Sequence, residues 1–249
     1  MSNWITAREK HRLWFVLGAG PCMALGITAF AADEVHHQTD FLTIPECQGK
    51  GLGTTFYPNA SSSERDRCRK AIKSRKYTHS YVSVTGKLKD YYSNPSGFRE
   101  LLQELVNDGI QPVVWLTSDT GAWKDKSQSA IKADLKNFIP KIDDLASSYC
   151  LGIEIEEYWS KTEASDIGNF LQSLTRKKIA SHQIPGKWDY CKSSWCDYMI
   201  LQYGFGKSES DIKSMTKQAI NDLGKPVVAG EYNLDGSESL SVKLGNAAV

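Results

Sequence analysis

Four glutamates close two short apolar runs, and they are the side chains best placed for acid–base chemistry. Glu154, Glu156 and Glu157 end the run LGIEIEE (151–157), and Glu231 ends PVVAGE (226–231). On an extended strand alternate residues share a face, so Glu154 and Glu156 are expected to point inward, with Ile153 and Ile155 outward against helices. Two carboxylates on one face repel, which raises at least one pKa, as a general acid requires. Glu156 lies nearer the end of the run, and Glu157 turns to the same side if the strand stops at Glu156. In the second run Val228 is expected to face outward, with Ala229 and Glu231 facing inward. Glu231 has no acidic neighbour in sequence and is expected to stay ionised. The plain alternative for Glu231 is a buried ion pair with a lysine or arginine. For Glu154 it is a supporting position with its hydrogen bonds already met.

Weaker candidates stand at the ends of the other apolar runs. Asp119 in LTSDTGAW either holds a ligand hydroxyl or caps a turn. His182 either touches substrate or is structural. Trp115, Gln202, Tyr203 and Tyr232 complete the set of expected binding residues. Trp123, Tyr158, Trp159 and Trp188 lie close by in sequence, as ready to pack as to bind. Ser118 lacks a nucleophile-elbow context.

These positions need a scaffold. Seven runs read as strands: GTTFY (53–57), HSYVSV (79–84), QPVVWL (111–116), LGIEIEE (151–157), KIASHQ (178–183), DYMILQY (197–203) and PVVAGE (226–231). Helical patterns fill the gaps at Ser62–Lys73, Ser96–Asn107, Ile131–Leu145, Thr162–Leu174 and Ser208–Leu223, with a last one at Ser237–Ala248. Pro140 is expected to kink or divide the third. Gly109 and Gly224 stand where helices should stop, each just before a proline-led strand. Repeated strand–helix alternation means parallel strands with crossover helices, either doubly wound or closed as a (β/α)8 barrel. No run is followed by a phosphate-binding glycine loop, which favours the barrel. Its eighth strand is either FLTI (41–44) or missing before the C-terminus.

In a barrel the C-terminal strand ends carry the chemistry. An acid closing the fourth strand and another closing the seventh resembles the retaining (β/α)8 glycoside hydrolases of clan A. The resemblance rests on PVVAGEYN (226–233) and LGIEIEEYWS (151–160). It implies that Glu231 is the nucleophile and that Glu156 or Glu157 is the acid/base. Clan A has Asn before its acid, where this chain has Glu156 before Glu157, so both remain candidates. The fourth run is also similar to the signature of chitinase-like barrels, whose catalytic Glu would fall at Tyr158. A carbohydrate substrate and no cofactor follow from the resemblance.

The first 31 residues read as a cleavable signal peptide. Arg8, Lys10 and Arg12 precede an uncharged run (13–30), and Ala29-Phe30-Ala31 is a small-x-small cleavage signal. Gly18, Gly20, Pro21 and Gly26 break the run, which argues against a stable span. Of 249 residues, 218 remain at 32–249, enough for a single catalytic domain in a secreted or periplasmic protein. The leader holds three bases and one acid, so its removal turns the formal charge of +1 into −1. A near-neutral chain argues against nucleic-acid or anionic-membrane partners. Export permits disulfides, and Cys191 with Cys196 in CKSSWC is the expected pair, Cys47 with Cys68 the second. The cysteine spacing fits no familiar zinc pattern, so no metal site is expected. Two other readings stay open: a catalytically inactive carbohydrate-binding barrel, and a metal-dependent hydrolase of another exported polymer.

Overall fold

The computed structural model describes residues 61–75, 77–86, 89–117, 123, 125–204 and 206–231, with the backbone alone at 85, 86, 89, 90 and 231. The leader, GTTFY, FLTI and the last helical pattern lie outside these residues. In chain order the elements are α1 (Ser62–Ser74), β1 (His79–Ser83), a hairpin of β2 (Thr85–Gly86) and β3 (Lys89–Asp90), then α2 (Pro95–Asn107) and β4 (Gln111–Trp115). Next come α3 (Gln128–Phe138), β5 (Ser148–Cys150), α4 (Lys161–Leu174), β6 (Lys178–Gln183), β7 (Tyr198–Gln202), α5 (Glu209–Leu223) and β8 (Val227–Glu231). Among the described residues no helix is long and apolar enough to cross a membrane.

The helices begin where side chains satisfy the orphan backbone N–H groups. Ser61 with Glu64, Ser160 with Glu163 and Ser208 with Asp211 form capping boxes. Asn94 caps α2 ahead of Pro95. Gly224 ends α5 in the left-handed region at φ 60°. The expected helix over 131–145 starts earlier, at Gln128, and stops at Phe138. A 3-10 turn at Ile139–Lys141 follows, because Pro140 cannot donate to an α-helical ladder.

The six long-range strands are all parallel, in the order β1-β4-β5-β6-β7-β8. Apart from the small β2–β3 hairpin, each strand pairs with the next one in sequence. A doubly wound sheet must reverse its direction of growth at a switch point. This sheet never reverses, which is the winding of a barrel. The described part is a curled partial barrel, and no closed eight-stranded ring appears among the described residues.

Alternation along the strands builds two cores. Val82, Val114, Tyr149, Ile179, Met199 and Val227 face the helices and pack with Leu102, Leu135, Ile167 and Ala219. Tyr81, Val113, Trp115, Cys150, Ala180, Tyr198, Ile200 and Val228 fill the opposite, inner face. Both faces are apolar, as expected of a covered parallel sheet.

The loop between β6 and β7 is fastened twice. Trp195, fully buried, lies flat on α4 where Gly168 leaves room. The Lys225 ammonium donates to the Cys191, Ser193 and Cys196 carbonyls at 2.5, 2.8 and 2.7 Å. The Cys191 and Cys196 sulfurs approach to 2.7 Å, yet both are free thiols, so the expected bridge is brought together but not closed. Cys68 belongs to a disulfide whose other half lies outside the described residues.

Candidate active site

The acidic run does not form the strand expected of it. β5 ends at Cys150, and Ile155–Glu157 is a 3-10 turn. Glu154 precedes that turn at φ 47°, ψ 47°, the one non-glycine residue with positive φ among those described. A β-carbon in this region is strained, so surrounding contacts must hold it. The turn breaks the expected alternation: fully buried Ile155 joins the helix-side core as expected, but Ile153 packs on the inner core instead. Gly152 permits the bend, because a Cβ there would meet Thr117 Cγ2 at 2.5 Å and the Tyr158 hydroxyl at 2.9 Å.

Three hydrogen bonds from two strand ends, those of β6 and β7, hold the turn. The Glu154 N–H donates to His182 Nδ1 at 3.4 Å. Gln202 Nε2 donates to Glu154 Oε1 at 2.8 Å. The Ile184 N–H, just beyond β6, donates to Glu156 Oε1. Glu156 Oε2 is buried and has no hydrogen-bond partner among the described residues. With one oxygen committed as an acceptor, the acidic proton of a neutral Glu156 resides on Oε2. Burial pushes the Glu156 carboxyl above the usual carboxylate range; the Ile184 N–H opposes this, and the charges of Glu154 and Glu157 add to it. Desolvation, not the acidic neighbours invoked from sequence, is the larger cause. Glu157 is exposed.

His182 is fully buried, its ring centroid 5.1 Å from that of Trp115. Burial alone lowers its pKa to about 3, so the ring is neutral. Accepting at Nδ1 then leaves its proton on Nε2. Trp115 is 2 % exposed and is wedged in the inner core between His182 and Tyr81, so it supports the site from below.

β8 also departs from expectation. Val228 belongs to the inner core and Ala229 to the helix side, the reverse of the parity expected from sequence. The register then slips: Leu201 pairs with Ala229, but Gln202 pairs with Glu231. Gly230 is the extra residue of this bulge, and a Cβ on it would overlap Ile200 Cγ2. The slip restores the backbone of residue 231 to the row that Gln202 occupies. Asp119 and Tyr232 lie outside the described residues.

Tyr203 requires a correction. It was expected at the ligand, but it is fully buried against the helices, its hydroxyl 2.7 Å from Thr216 Oγ1 on α5. It follows Gln202, and alternation sends it outward. Trp123 likewise stacks on Tyr92 in the helix-side core. The Ile184 N–H was missed, since a main-chain donor leaves no signal in residue type. The bulge did leave one: a glycine inside a strand pattern. Among the described residues no group of three His, Cys, Asp or Glu side chains is arranged to hold a metal ion.

No protein-family model matches the sequence, and no curated protein matches it. Solved structures do share the fold. A candidate glycoside hydrolase from Bacteroides vulgatus superposes with a TM-score of 0.58 at 9 % identity, covering 77 % of this chain and 42 % of that one. This chain therefore spans less than half of that protein. A β-glycosidase superposes at 0.53 with 10 % identity, covering 72 % of this chain and 71 % of its own. A type I 3-dehydroquinate dehydratase from Clostridium difficile reaches 0.50 at 11 % identity, covering 79 % of this chain and 91 % of its own. At such identities the likeness is one of fold: barrel proteins, glycoside hydrolases prominent among them, share this winding.

Proposed function

We propose that the chain is an exported glycoside hydrolase that cleaves an oligosaccharide or polysaccharide with retention of configuration. In this reading Glu156 protonates the leaving oxygen and Glu231 attacks the anomeric carbon. One observation carries it: the Glu156 carboxyl is anchored through Oε1 by the Ile184 N–H, while the buried Oε2 has no partner among the described residues. A general acid needs a held carboxyl, a raised pKa and one oxygen free to give up its proton. Exposed Glu157 has no comparable burial, which favours Glu156 of the two. The register that aligns position 231 with Gln202 supports a second carboxylate at the same rim. A retaining pair stands about 5–5.5 Å apart.

The mechanism has two displacements. Glu231 forms a glycosyl–enzyme ester as the Oε2 proton of Glu156 passes to the departing oxygen. Ionised Glu156 then takes a proton from water, and that water releases the sugar. Neutral His182 cannot compete for either proton; it holds the Glu154 peptide, and with it the start of the acid turn.

The test is a polysaccharide panel digested by the mature chain, followed by variants on whichever substrate is cleaved. Glu231→Gln should abolish turnover. Glu156→Gln should lose about 10²–10⁴-fold on poor leaving groups. It should lose far less on activated aryl glycosides. If Glu231→Gln retains parental turnover, the mechanism is wrong. If Glu157→Gln shows the leaving-group dependence instead, the acid is reassigned. N-terminal sequencing of the exported form should begin at Ala32; a Met1 start there refutes the leader.

A further inference from the structure

The Gln202 amide is satisfied at one end only. The residue is 8 % exposed; its Nε2 donates to Glu154 Oε1 at 2.8 Å, and its Oε1 is buried with no hydrogen-bond partner among the described residues. Glu154 Oε1 accepts from the amide nitrogen, so the carboxyl holds the NH2 end of the amide toward itself. The carbonyl end cannot exchange places with it without setting oxygen against oxygen. Gln202 therefore offers an acceptor of fixed direction. It does so at the C-terminal end of β7, the rim at which Glu154 and Glu156 stand, and in register with position 231.

A buried carbonyl oxygen with no donor is a standing cost to the folded chain. That cost is recovered only when something brings a donor. We propose that Gln202 Oε1 accepts a hydrogen bond from one free hydroxyl of the sugar bound at this rim, making that hydroxyl a condition of good binding. The proposal rests on the carbohydrate reading above and adds to it a specificity-determining contact. Glu156 cannot play this part, since its unpaired oxygen is the one that carries a proton and donates. Donor and acceptor are thus divided between Glu156 and Gln202, with Glu154 setting the direction of the second. Oε1 has no competing donor among the described residues, so a ligand hydroxyl seated against it meets no rival, and an analogue lacking that hydroxyl leaves the acceptor unmet.

The test crosses protein and ligand changes. The kcat/KM of the parent and of Gln202→Met, a side chain of similar length with no amide, is measured on a cleavable glycoside and on its monodeoxy analogues. One analogue should lose about tenfold or more with the parent, the effect of a hydrogen bond left unmade. Gln202→Met should lose a similar factor on the full sugar and nothing further on that analogue. Glu154→Gln, which releases the amide to turn, should shrink the ratio by which the full sugar is preferred over the same analogue. If every analogue and the full sugar fall by equal factors with Gln202→Met, the residue is structural and the contact is refuted. If Gln202→Met fails to fold, the parent decides alone: no analogue losing affinity refutes the contact. A parent that cleaves glycans without this coupling overturns only the contact. A parent that neither cleaves nor binds any glycan overturns the functional reading and the contact with it.

Discussion

Replacing Gly168 with alanine tests how the loop between β6 and β7 is seated on α4. Helix propensity favours the change, since alanine gains about 1 kcal/mol over glycine inside a helix. Packing opposes it. The new Cβ would stand 2.5 Å from Trp195 Cγ and 2.7 Å from Cε2. Carbon atoms rest at about 3.5–4.0 Å, so the indole must retreat by about 1 Å. It has nowhere to go: Trp195 is fully buried, and the Lys225 ammonium holds the carbonyls of Ser193 and Cys196 on either side of it. Overpacking of a rigid site costs about 1–3 kcal/mol, and the upper end applies here. Less the propensity gain, the net loss is about 2 kcal/mol. Expelling the ring instead would cost about 3–5 kcal/mol before the same correction. A loss of about 2 kcal/mol lowers the melting temperature of a chain this size by about 4–8 °C, which thermal unfolding followed by circular dichroism will read. The same substitution in a Trp195→Leu background should cost nothing, because the two sites share one contact. If Gly168→Ala equals or exceeds the parent in stability, the seating is not as described.

Three further outcomes follow from named groups. His182 has its folded pKa depressed to about 3, so its contribution is intact above its unfolded value near 6.5 and is lost as pH falls toward 3. That amounts to an acid penalty of about 5 kcal/mol. Urea unfolding at pH 7 and pH 4 should show it, and His182→Phe should be less acid-sensitive than the parent; equal sensitivity refutes this origin. Glu156 works the other way: its raised folded pKa gives stability at pH below its unfolded value that is lost as pH climbs through the folded one. Glu156→Gln, which copies the neutral form, should gain stability at neutral pH and none at acidic pH, so the excess of neutral over acidic stability should be larger than the parent's, and an unchanged difference would refute the assignment. Mass mapping of the exported protein under oxidising conditions should find Cys191 joined to Cys196; two free thiols there rule out the bridge.

Most of the scaffold was legible because its signals are local. The strand starts at His79, Gln111 and Lys178, the helices over 62–73, 96–107 and 162–174, and the stop at Gly224 each follow from a few adjacent residues. The acid turn was not legible in the same way. Period-two reasoning assumes an extended backbone, and Glu154 in the left-handed region breaks that assumption through contacts to His182 and Gln202 that lie far off in sequence. Alternation on β8 failed for a related reason. Val228 takes its face from Ile200 beside it, and Gly230 adds a residue that resets the count before Glu231. Tyr203 was misread because an aromatic at a strand end was expected to meet a ligand, whereas Thr216 supplies its hydroxyl's partner on the helix side. Local chemistry singled out the carboxylates, and long-range contacts decide which way Glu154 and Glu156 stand.

The lysine gripped by three carbonyls has a use as a reporter. An ammonium whose protons are all committed to carbonyl oxygens is a poor nucleophile toward an acylating reagent. While the grip on Cys191, Ser193 and Cys196 holds, Lys225 should be among the slowest amines to acquire a label, whereas Lys70, whose side chain is 75 % exposed, sets the pace of an open one. The ratio of the two labelling rates then measures how often the loop lets go, in the same sense that amide exchange measures local opening. Acylation at Lys225 is also self-sealing. Once it carries a neutral amide, the side chain can no longer supply three donors, three carbonyls lose their cation, and the opening that admitted the reagent cannot fully reverse.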